Sequence, residues 1–127
     1  MSKANVLLVS SSGPLRWLVQ NTLVTEGYDV DVTYKGINGL TLALLKPLDL
    51  FLVDQSIADM HNDDLIRRIR NHQKLTHIPV LALTDIINQE KCQQYVRAGA
   101  KGCLYKPFTG SQLLQLVRQY TQPQQVV

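Results

Sequence analysis

The sequence predicts an α/β domain, a doubly wound parallel sheet of five strands with helices on both faces. Short apolar runs alternate five times along the chain with longer segments in which apolar residues recur at helical spacing. Several of these runs are apolar at every position, which is typical of parallel strands that helices cover on both sides. Repeated strand–helix units with right-handed crossovers build this class of sheet.

The strands are expected where turn residues bound the apolar runs. The predicted strands are Asn5–Val9, Tyr28–Thr33, Leu50–Val53, Pro79–Leu83 and Gly102–Tyr105. The second run alternates apolar and polar residues, which indicates a strand at or near an edge of the sheet. For five strands connected in this way, we expect the flavodoxin-like order 2-1-3-4-5.

The helices are expected between the strands, and glycine or proline marks several of their ends. The first begins at Pro14, after a cap at Ser12 or Gly13, and ends at Gly27. Apolar stripes predict the other helices at Gly36–Lys46, Asp63–His72, Asn88–Ala98 and Thr109–Tyr120. Each helix is therefore expected to present one apolar side to the sheet.

The composition favours one globular domain. The chain has 127 residues, of which 45% are hydrophobic and 18% are charged, a balance that is typical of a folded protein with a buried core. We expect a domain over residues 1–120, followed at 121–127 by a Gln-rich tail or the start of a linker. No apolar stretch approaches the roughly 20 residues of a membrane span, and the N-terminus does not resemble a signal peptide. A cytoplasmic location is therefore expected.

The two cysteines, Cys92 and Cys103, lie in apolar contexts and lack the spacing of a metal site. We expect them to be buried thiols in a reducing compartment, because cytosolic proteins rarely keep disulfides. A disulfide between them is the less favoured alternative.

Charge is distributed unevenly, although the net charge is only +3. Acidic residues are concentrated between Asp49 and Asp64, whereas the chain from Lys91 onwards carries basic residues and no acid. This separation predicts a basic face on the fourth helix, fifth strand and fifth helix that suits an acidic protein partner and disfavours a symmetric dimer. We expect no membrane contact and no nucleic-acid binding, because neither an aromatic stacking platform nor a recognition helix accompanies these bases.

Polar side chains follow four of the apolar runs, where the predicted strands end. Asp54, Thr84 and Lys106 follow the third, fourth and fifth runs, and Ser10 and Ser11 follow the first. Because the carboxyl ends of parallel strands meet at one edge of a sheet, we expect a carboxylate, a hydroxyl and an ammonium group in one pocket. A carboxylate in that setting can act as a nucleophile toward a phosphoryl group. Taken singly, each residue has a simpler explanation as a cap or a solvated side chain.

These strand ends resemble the receiver domain of two-component response regulators, the CheY-like family. The resemblance extends over residues 5–120 and rests on Val6–Val9, Asp54, Pro79–Thr84, Ala98–Ala100 and Lys106–Phe108. It implies phosphorelay signal transduction rather than enzyme activity, with a histidine kinase or another signalling protein as partner and Asp54 as phosphoacceptor. It further implies that Thr84 binds the transferred group and that Lys106 pairs with it. A Mg²⁺ ion would be held by Asp54 and by the backbone carbonyl of Ser56.

The sequence departs from the family pattern where the metal and the phosphoryl group should bind. The family's acidic pair falls on Ser10 and Ser11, whereas Mg²⁺ prefers carboxylate and water oxygens. The usually small residue after the threonine is Asp85, which would repel a phosphate, and the aromatic switch position falls on Cys103. We therefore expect weak or absent Mg²⁺ binding and phosphorylation, with signalling through protein–protein contacts. Asp59 or Asp85 as a substitute ligand is the weaker alternative.

A different class of function is suggested by Ser10–Gly13, which links a strand to a helix that begins at Pro14. Backbone N–H groups and the helix dipole in such a loop favour a phosphate, as in a flavodoxin-like protein that binds a phosphate-bearing ligand. No aromatic pair that could flank a flavin ring is evident in the sequence. A polar turn that caps the helix is the simpler explanation and the one that we favour.

Overall fold

The computed structural model describes residues 3–85 and 89–121 and confirms the predicted fold class. The strands are β1 (Asn5–Val9), β2 (Asp29–Thr33), β3 (Leu50–Asp54), β4 (Val80–Thr84) and β5 (Gly102–Tyr105). The helices are α1 (Gly13–Thr25), α2 (Gly36–Leu45), α3 (Asn62–Asn71), α4 (Gln89–Ala98) and α5 (Gly110–Thr121). Neighbouring strands are parallel and follow the expected order β2-β1-β3-β4-β5.

The predicted bounds of the helices and strands lie within two residues of the observed ones wherever the structure describes both. The expected start of the fourth helix at Asn88 and the expected tail at 122–127 lie outside the described residues, and Thr121 closes α5. Among the helices in the described ranges, none is long and apolar enough to cross a membrane.

The sheet separates two apolar cores, and successive strand residues alternate between them. Phe51 packs in the core formed with α2, α3 and α4, whereas Leu52 packs in the core formed with α1 and α5. Every residue of β3 and β4 is buried, as expected for central strands covered on both faces. The last residues of these strands, Asp54 and Thr84, are therefore held in buried positions at the carboxyl edge.

The N-terminus of α2 is capped by a carboxylate from a loop distant in sequence. Asp59 Oδ1 accepts a hydrogen bond from the Gly36 N–H at 2.7 Å, and Oδ2 accepts one from the Ile37 N–H at 3.2 Å. Desolvation alone would raise the pKa of Asp59, but these hydrogen bonds and the charge of Lys35 outweigh it and hold the pKa below its usual value. Because the carboxylate serves α2, Asp59 gains no support as a substitute metal ligand.

The turn between α4 and β5 requires a glycine. Gly99 has φ +131°, and a Cβ at this position would lie 2.9 Å from the Cβ of Arg70. The Arg70 guanidinium donates hydrogen bonds to the Gly99 carbonyl at 2.6 Å and to the Thr76 carbonyl at 3.1 Å. A side chain of α3 thus fixes the turn that leads into β5.

The prediction of two thiols is wrong. Cys92 on α4 and Cys103 on β5 are joined by a disulfide, and their Cα atoms are 6.0 Å apart. The turn at Gly99 folds β5 back along α4, which brings residues separated by 11 positions into contact. The less favoured alternative is therefore the observed one, and the bond links helix and strand covalently.

Candidate functional site

The Asp54 carboxylate lies at the carboxyl end of β3 and is inaccessible to solvent, with a relative exposure of 0%. Its Oδ1 contacts the Lys106 ammonium at 2.6 Å and accepts a hydrogen bond from the Gln55 N–H at 2.9 Å. Its Oδ2 accepts a hydrogen bond from the Ser10 hydroxyl at 2.7 Å. Because a buried polar group is costly unless it is paired and hydrogen-bonded, these three donors compensate for the burial of the carboxylate.

Lys106 is positioned by the pairing of β5 with β4. Thr84 lies opposite Tyr105 in the parallel register, and the Lys106 N–H donates a hydrogen bond to the Thr84 carbonyl at 2.8 Å. The Lys106 side chain is 23% exposed, so its ammonium lies at the boundary between the buried carboxylate and solvent. The peptide bond from Lys106 to Pro107 is cis. The structure thus brings Asp54 and Lys106 together.

Thr84 lies at the same edge, but its hydroxyl contacts a residue that was not predicted from the sequence. The Thr84 hydroxyl donates a hydrogen bond to the Gln55 side-chain carbonyl at 2.8 Å. The same oxygen accepts the Asp85 N–H at 2.7 Å. Gln55 thus occupies the space between the ends of β3 and β4. Its position directly after Asp54 was the only sequence signal that could have pointed to it.

Ser11 holds the loop after β1 against the loop after β3. Its N–H and its hydroxyl both donate hydrogen bonds to the Ser56 carbonyl, at 2.9 Å and 3.1 Å. The two serine hydroxyls also lie 2.8 Å apart. The backbone oxygen that the family resemblance assigns to a metal therefore accepts two hydrogen bonds within the protein.

The loop after β1 uses its own N–H groups internally. The Ser10 N–H donates to the Thr33 carbonyl at 2.9 Å, and the Ser12 N–H donates to the Ser10 hydroxyl at 3.0 Å. The Ser12 hydroxyl caps α1 by accepting the Leu15 N–H at 3.3 Å. A phosphate-binding loop points several N–H groups at its ligand, whereas these donate to protein oxygens. The arrangement matches the polar turn favoured from the sequence.

The oxygen donors near Asp54 are a poor match for a magnesium site. Within residues 3–85 and 89–121, no group of three or more His, Cys, Asp or Glu side chains is placed to hold a metal ion. The oxygen atoms around Asp54 include its own carboxylate, the carbonyls of Ser56 and of the Gln55 side chain, and the hydroxyls of Ser10, Ser11 and Thr84. Mg²⁺ sheds its water reluctantly and is usually held by carboxylates with several waters. The residues present therefore do not fit the ion well.

A buried carboxylate paired with lysine, at the switch point of a doubly wound sheet, defines a receiver-type signalling module. Residues 6–118 match the family model of the response regulator receiver domain. The chain therefore belongs to this family. Receiver domains act in two-component phosphorelays, are signalling modules rather than enzymes in the usual sense, and interact with histidine kinases and other signalling proteins. They generally bind Mg²⁺ for phosphorylation.

Known relatives agree with this membership. The chain is 32% identical over 111 residues to the chemotaxis protein CheY-3 of Vibrio cholerae, over 85% of this chain and 84% of that protein. The structure of the chemotaxis response regulator CheY4 of Vibrio cholerae matches with a TM-score of 0.88 at 29% identity, over 94% of this chain and 99% of that one.

A third relative shows the same fold at lower identity. It is the receiver domain of sensor histidine kinase PA1611 from Pseudomonas aeruginosa, solved with a magnesium ion coordinated in its active site cleft. It matches with a TM-score of 0.86 at 23% identity, over 96% of this chain and 100% of that one. At this identity, the likeness concerns the fold alone.

Proposed function

We propose that this receiver domain keeps the phosphoacceptor geometry of its family but is phosphorylated weakly or not at all with Mg²⁺, and that it signals mainly through protein–protein contacts. In this proposal Asp54 is the acceptor of the phosphoryl group. Lys106, already 2.6 Å from the carboxylate, pairs with the transferred group, and the Thr84 hydroxyl donates to it. The charge-assisted contact of Lys106 is the stronger of these two interactions.

The hydrogen bond that the Ser10 hydroxyl donates to Asp54 is the observation that supports the proposal most directly. In the site of a divalent cation, the neighbour of Asp54 should offer a negative oxygen, yet here it donates a hydrogen to Oδ2 at 2.7 Å. The Ser56 carbonyl is likewise occupied by Ser11. Binding of a cation would have to break these hydrogen bonds, and in the part of the chain that the structure describes no cluster of His, Cys, Asp or Glu side chains is placed to compensate for them.

The absence of two carboxylates at positions 10 and 11 removes a large electrostatic stabilisation of phosphoryl transfer. Two unit charges 4 Å apart attract by about 4 kcal/mol at an effective dielectric constant of about 20, before the cost of desolvation. Replacing two carboxylates by hydroxyls removes an attraction of this order for each. Electrostatic stabilisation of the transition state often contributes more to catalysis than any other effect, so the loss should slow the transfer strongly.

Asp85 adds a second obstacle at the entrance to the site. It directly follows Thr84, and it is exposed where an incoming phosphoryl donor would approach. A phosphate brought next to a carboxylate is disfavoured by like-charge repulsion. Asp85 therefore supports the proposal independently of the serines.

Phosphorylation with a small donor tests this proposal. The wild-type chain and the S10D/S11D variant are incubated with acetyl phosphate and Mg²⁺, and added phosphoryl groups are counted by intact mass spectrometry. We expect little modification of the wild type and clear modification of the variant. Because Ser10 is fully buried whereas Ser11 is exposed, the single variant S11D is included in case the double variant folds poorly.

Two controls make the result specific. The D54N substitution in the S10D/S11D background should abolish the added mass, because it removes the acceptor oxygen. Titration of the wild type and of S10D/S11D with Mg²⁺ and with beryllofluoride should show binding to S10D/S11D only. Ready formation of an aspartyl phosphate at Asp54 in the wild type would contradict the proposal and restore an ordinary phosphoswitch.

The contact surface that we propose is the basic face of α4 and β5, for a partner with an acidic surface. Arg97 and Lys101 are exposed there. Arg118 on α5 instead contacts Glu26 at 3.3 Å, so it contributes less positive charge than the sequence suggested. Concentrated positive charge attracts an oppositely charged partner and speeds its association.

Poly-glutamate serves as the probe for this face, because the natural partner is unidentified. Chemical-shift changes on adding poly-glutamate at low salt are compared for the wild type, R97E/K101E, and the control R67E/R68E on α3. We expect the shifts of α4 and β5 to be lost in the first variant and kept in the control. Equal loss in both variants would contradict a localised face.

A further inference from the structure

The disulfide lies at the junction of α4 with β5. Cys92 is on the helix and Cys103 is on the strand, with their Cα atoms 6.0 Å apart. This separation is in the range that a disulfide spans without backbone movement. The backbone therefore accommodates the disulfide without moving, and two reduced thiols at these positions would lie close enough to form it.

The pair is accessible from the surface. Both cysteines are half-buried, and Cys103 also packs against the core formed with α2, α3 and α4. Cys92 lines a surface depression of about 450 Å³. The other residues that line this depression are Gln89, Gln93, Val96, Arg97 and Tyr105. A small thiol can therefore approach the bond without unfolding the domain.

The charges around the depression suit an anionic thiol. Arg97 lines it, and Lys91 precedes Cys92 in the chain. Glu90 is the sole acidic residue of the sequence between 89 and 121. Reactive cysteines occur in electropositive, partly exposed surroundings, because thiolates are the attacking species in thiol–disulfide exchange. Glutathione, which carries a net negative charge, matches this surface.

The bond anchors one end of α4. The buried residues of this helix, Tyr95 and Ala98, both lie in its C-terminal half. Cys92 is on the first turns, where the neighbouring positions 89, 90, 93 and 94 are exposed. The disulfide is therefore the strongest attachment among the described contacts between the N-terminal half of α4 and the sheet. Cys103 lies three residues before Lys106 on the same segment.

We propose that Cys92 and Cys103 form a thiol–disulfide exchange site that fastens the N-terminal half of α4 to β5 when oxidised and releases it when reduced. A thiolate of glutathione attacks one sulfur and forms a mixed disulfide, and the other cysteine leaves as a thiolate that takes up a proton. A second glutathione then attacks the mixed disulfide. Two cysteine thiols and one oxidised glutathione result, with two electrons transferred to the protein. This exchange does not depend on phosphorylation of Asp54.

Redox titration with a structural readout tests the proposal. The full chain is equilibrated in buffers of reduced and oxidised glutathione, quenched by alkylation, and analysed by mass spectrometry. Hydrogen exchange is then measured on the two end states. We expect one intramolecular disulfide to form and to reduce reversibly. Exchange of amides in the N-terminal half of α4 should be at least ten-fold faster after reduction, whereas α3 should be unchanged.

Cysteine variants test whether the disulfide itself slows hydrogen exchange in α4. The C92S/C103S chain should show the fast exchange of α4 in both buffers, and C92S alone should do the same. If the double variant folds poorly, the reduced wild type and C92S carry the comparison. Failure of the bond to form, a stable glutathione adduct without the intramolecular bond, or formation of the bond without any change in α4 would each overturn the proposal. Neither readout involves phosphorylation of Asp54, so failure here is distinct from failure of the phosphorylation test.

Discussion

The ion pair between Asp54 and Lys106 offers a quantitative test of how the site is held together. We consider K106M, which removes the ammonium and keeps a side chain of similar length. The Asp54 carboxylate would then stay fully buried without its positive partner. It would keep the hydrogen bonds from Ser10 at 2.7 Å and from the Gln55 N–H at 2.9 Å.

The expected loss follows from the burial of the two partners. Removal of one partner from a buried ion pair costs about 3–5 kcal/mol, because the other charge is left uncompensated. Lys106 is 23% exposed and the carboxylate retains two hydrogen bonds, so we take the lower limit, about 3 kcal/mol. An unfolding entropy of about 2.1 cal/mol/K per residue over 127 residues converts this loss into a fall in Tm of about 11 °C.

The matched variant D54N separates charge from shape. An asparagine keeps the size of the side chain, and the partly exposed Lys106 can turn its ammonium toward solvent. We therefore expect D54N to cost about 1 kcal/mol, the typical net value of a lost hydrogen bond. The double variant K106M/D54N contains no buried charge and should be about 2 kcal/mol more stable than K106M.

Urea unfolding followed by circular dichroism measures all four chains, and the double-mutant cycle gives the coupling free energy. The four slopes with urea should agree, which shows that each chain unfolds over the same surface. A loss below about 1 kcal/mol for K106M, or a double variant no more stable than K106M, would refute the inference that the buried carboxylate depends on its ion pair with Lys106. In that case the hydroxyl and backbone donors alone would satisfy Asp54.

Two further changes test the supports around the site, each by urea unfolding. D59N replaces the carboxylate that caps α2 by an amide with one acceptor oxygen, so it loses one of the two hydrogen bonds and the negative charge at the helix N-terminus, which together should cost about 1 kcal/mol. The pKa of Asp59 is lowered in the fold, so the ionised cap stabilises the fold at pH values above the pKa of the unfolded side chain, about 4. This stabilisation is lost as the pH falls through the pKa of the folded state. The stabilities of D59N and wild type should therefore converge in acid. An unchanged difference at low pH would contradict the cap. G99A should cost about 1–3 kcal/mol, because Gly99 has a φ of +131° and lies close to Arg70. The control G13A should change stability by less than about 1 kcal/mol, because the φ of Gly13 is not positive and a Cβ there would have its nearest contact at 3.8 Å. Equal effects of the two substitutions would show that Gly99 is not required.

The fold could be predicted because its determinants are local and repeated. Apolar runs such as Leu50–Val53 are too short for helices and apolar at every position, so they identify buried parallel strands. The alternation in Tyr28–Thr33 correctly placed β2 at an edge of the sheet. Strand order then followed from the connectivity, since right-handed crossovers leave few arrangements of five strands.

The site was predictable only where topology alone determines position. Asp54, Lys106 and Ser10 meet because each lies at the end of a parallel strand, which is visible in the sequence. The contact of Gln55 with Thr84 depends on a side-chain rotamer, which periodicity does not report. The Cys92–Cys103 bond depends on how closely α4 packs against β5, which periodicity does not report, and the expectation of two thiols in a reducing compartment was wrong.

The internal hydrogen bonds at the Asp54 edge make a conformational change there more costly than a movement of the N-terminal half of α4. Ser10 and Gln55 satisfy the carboxylate and the Thr84 hydroxyl within the protein, so a ligand at this edge must first replace bonds worth about 1 kcal/mol each. A ligand shifts a conformational equilibrium only by its differential affinity for the two states, and these costs reduce that difference. The N-terminal half of α4 has no residue in the buried core, and among the described contacts the disulfide is its strongest attachment to the sheet. If the domain switches, a change at Cys92 and Cys103 therefore moves this helix more readily than a change at Asp54.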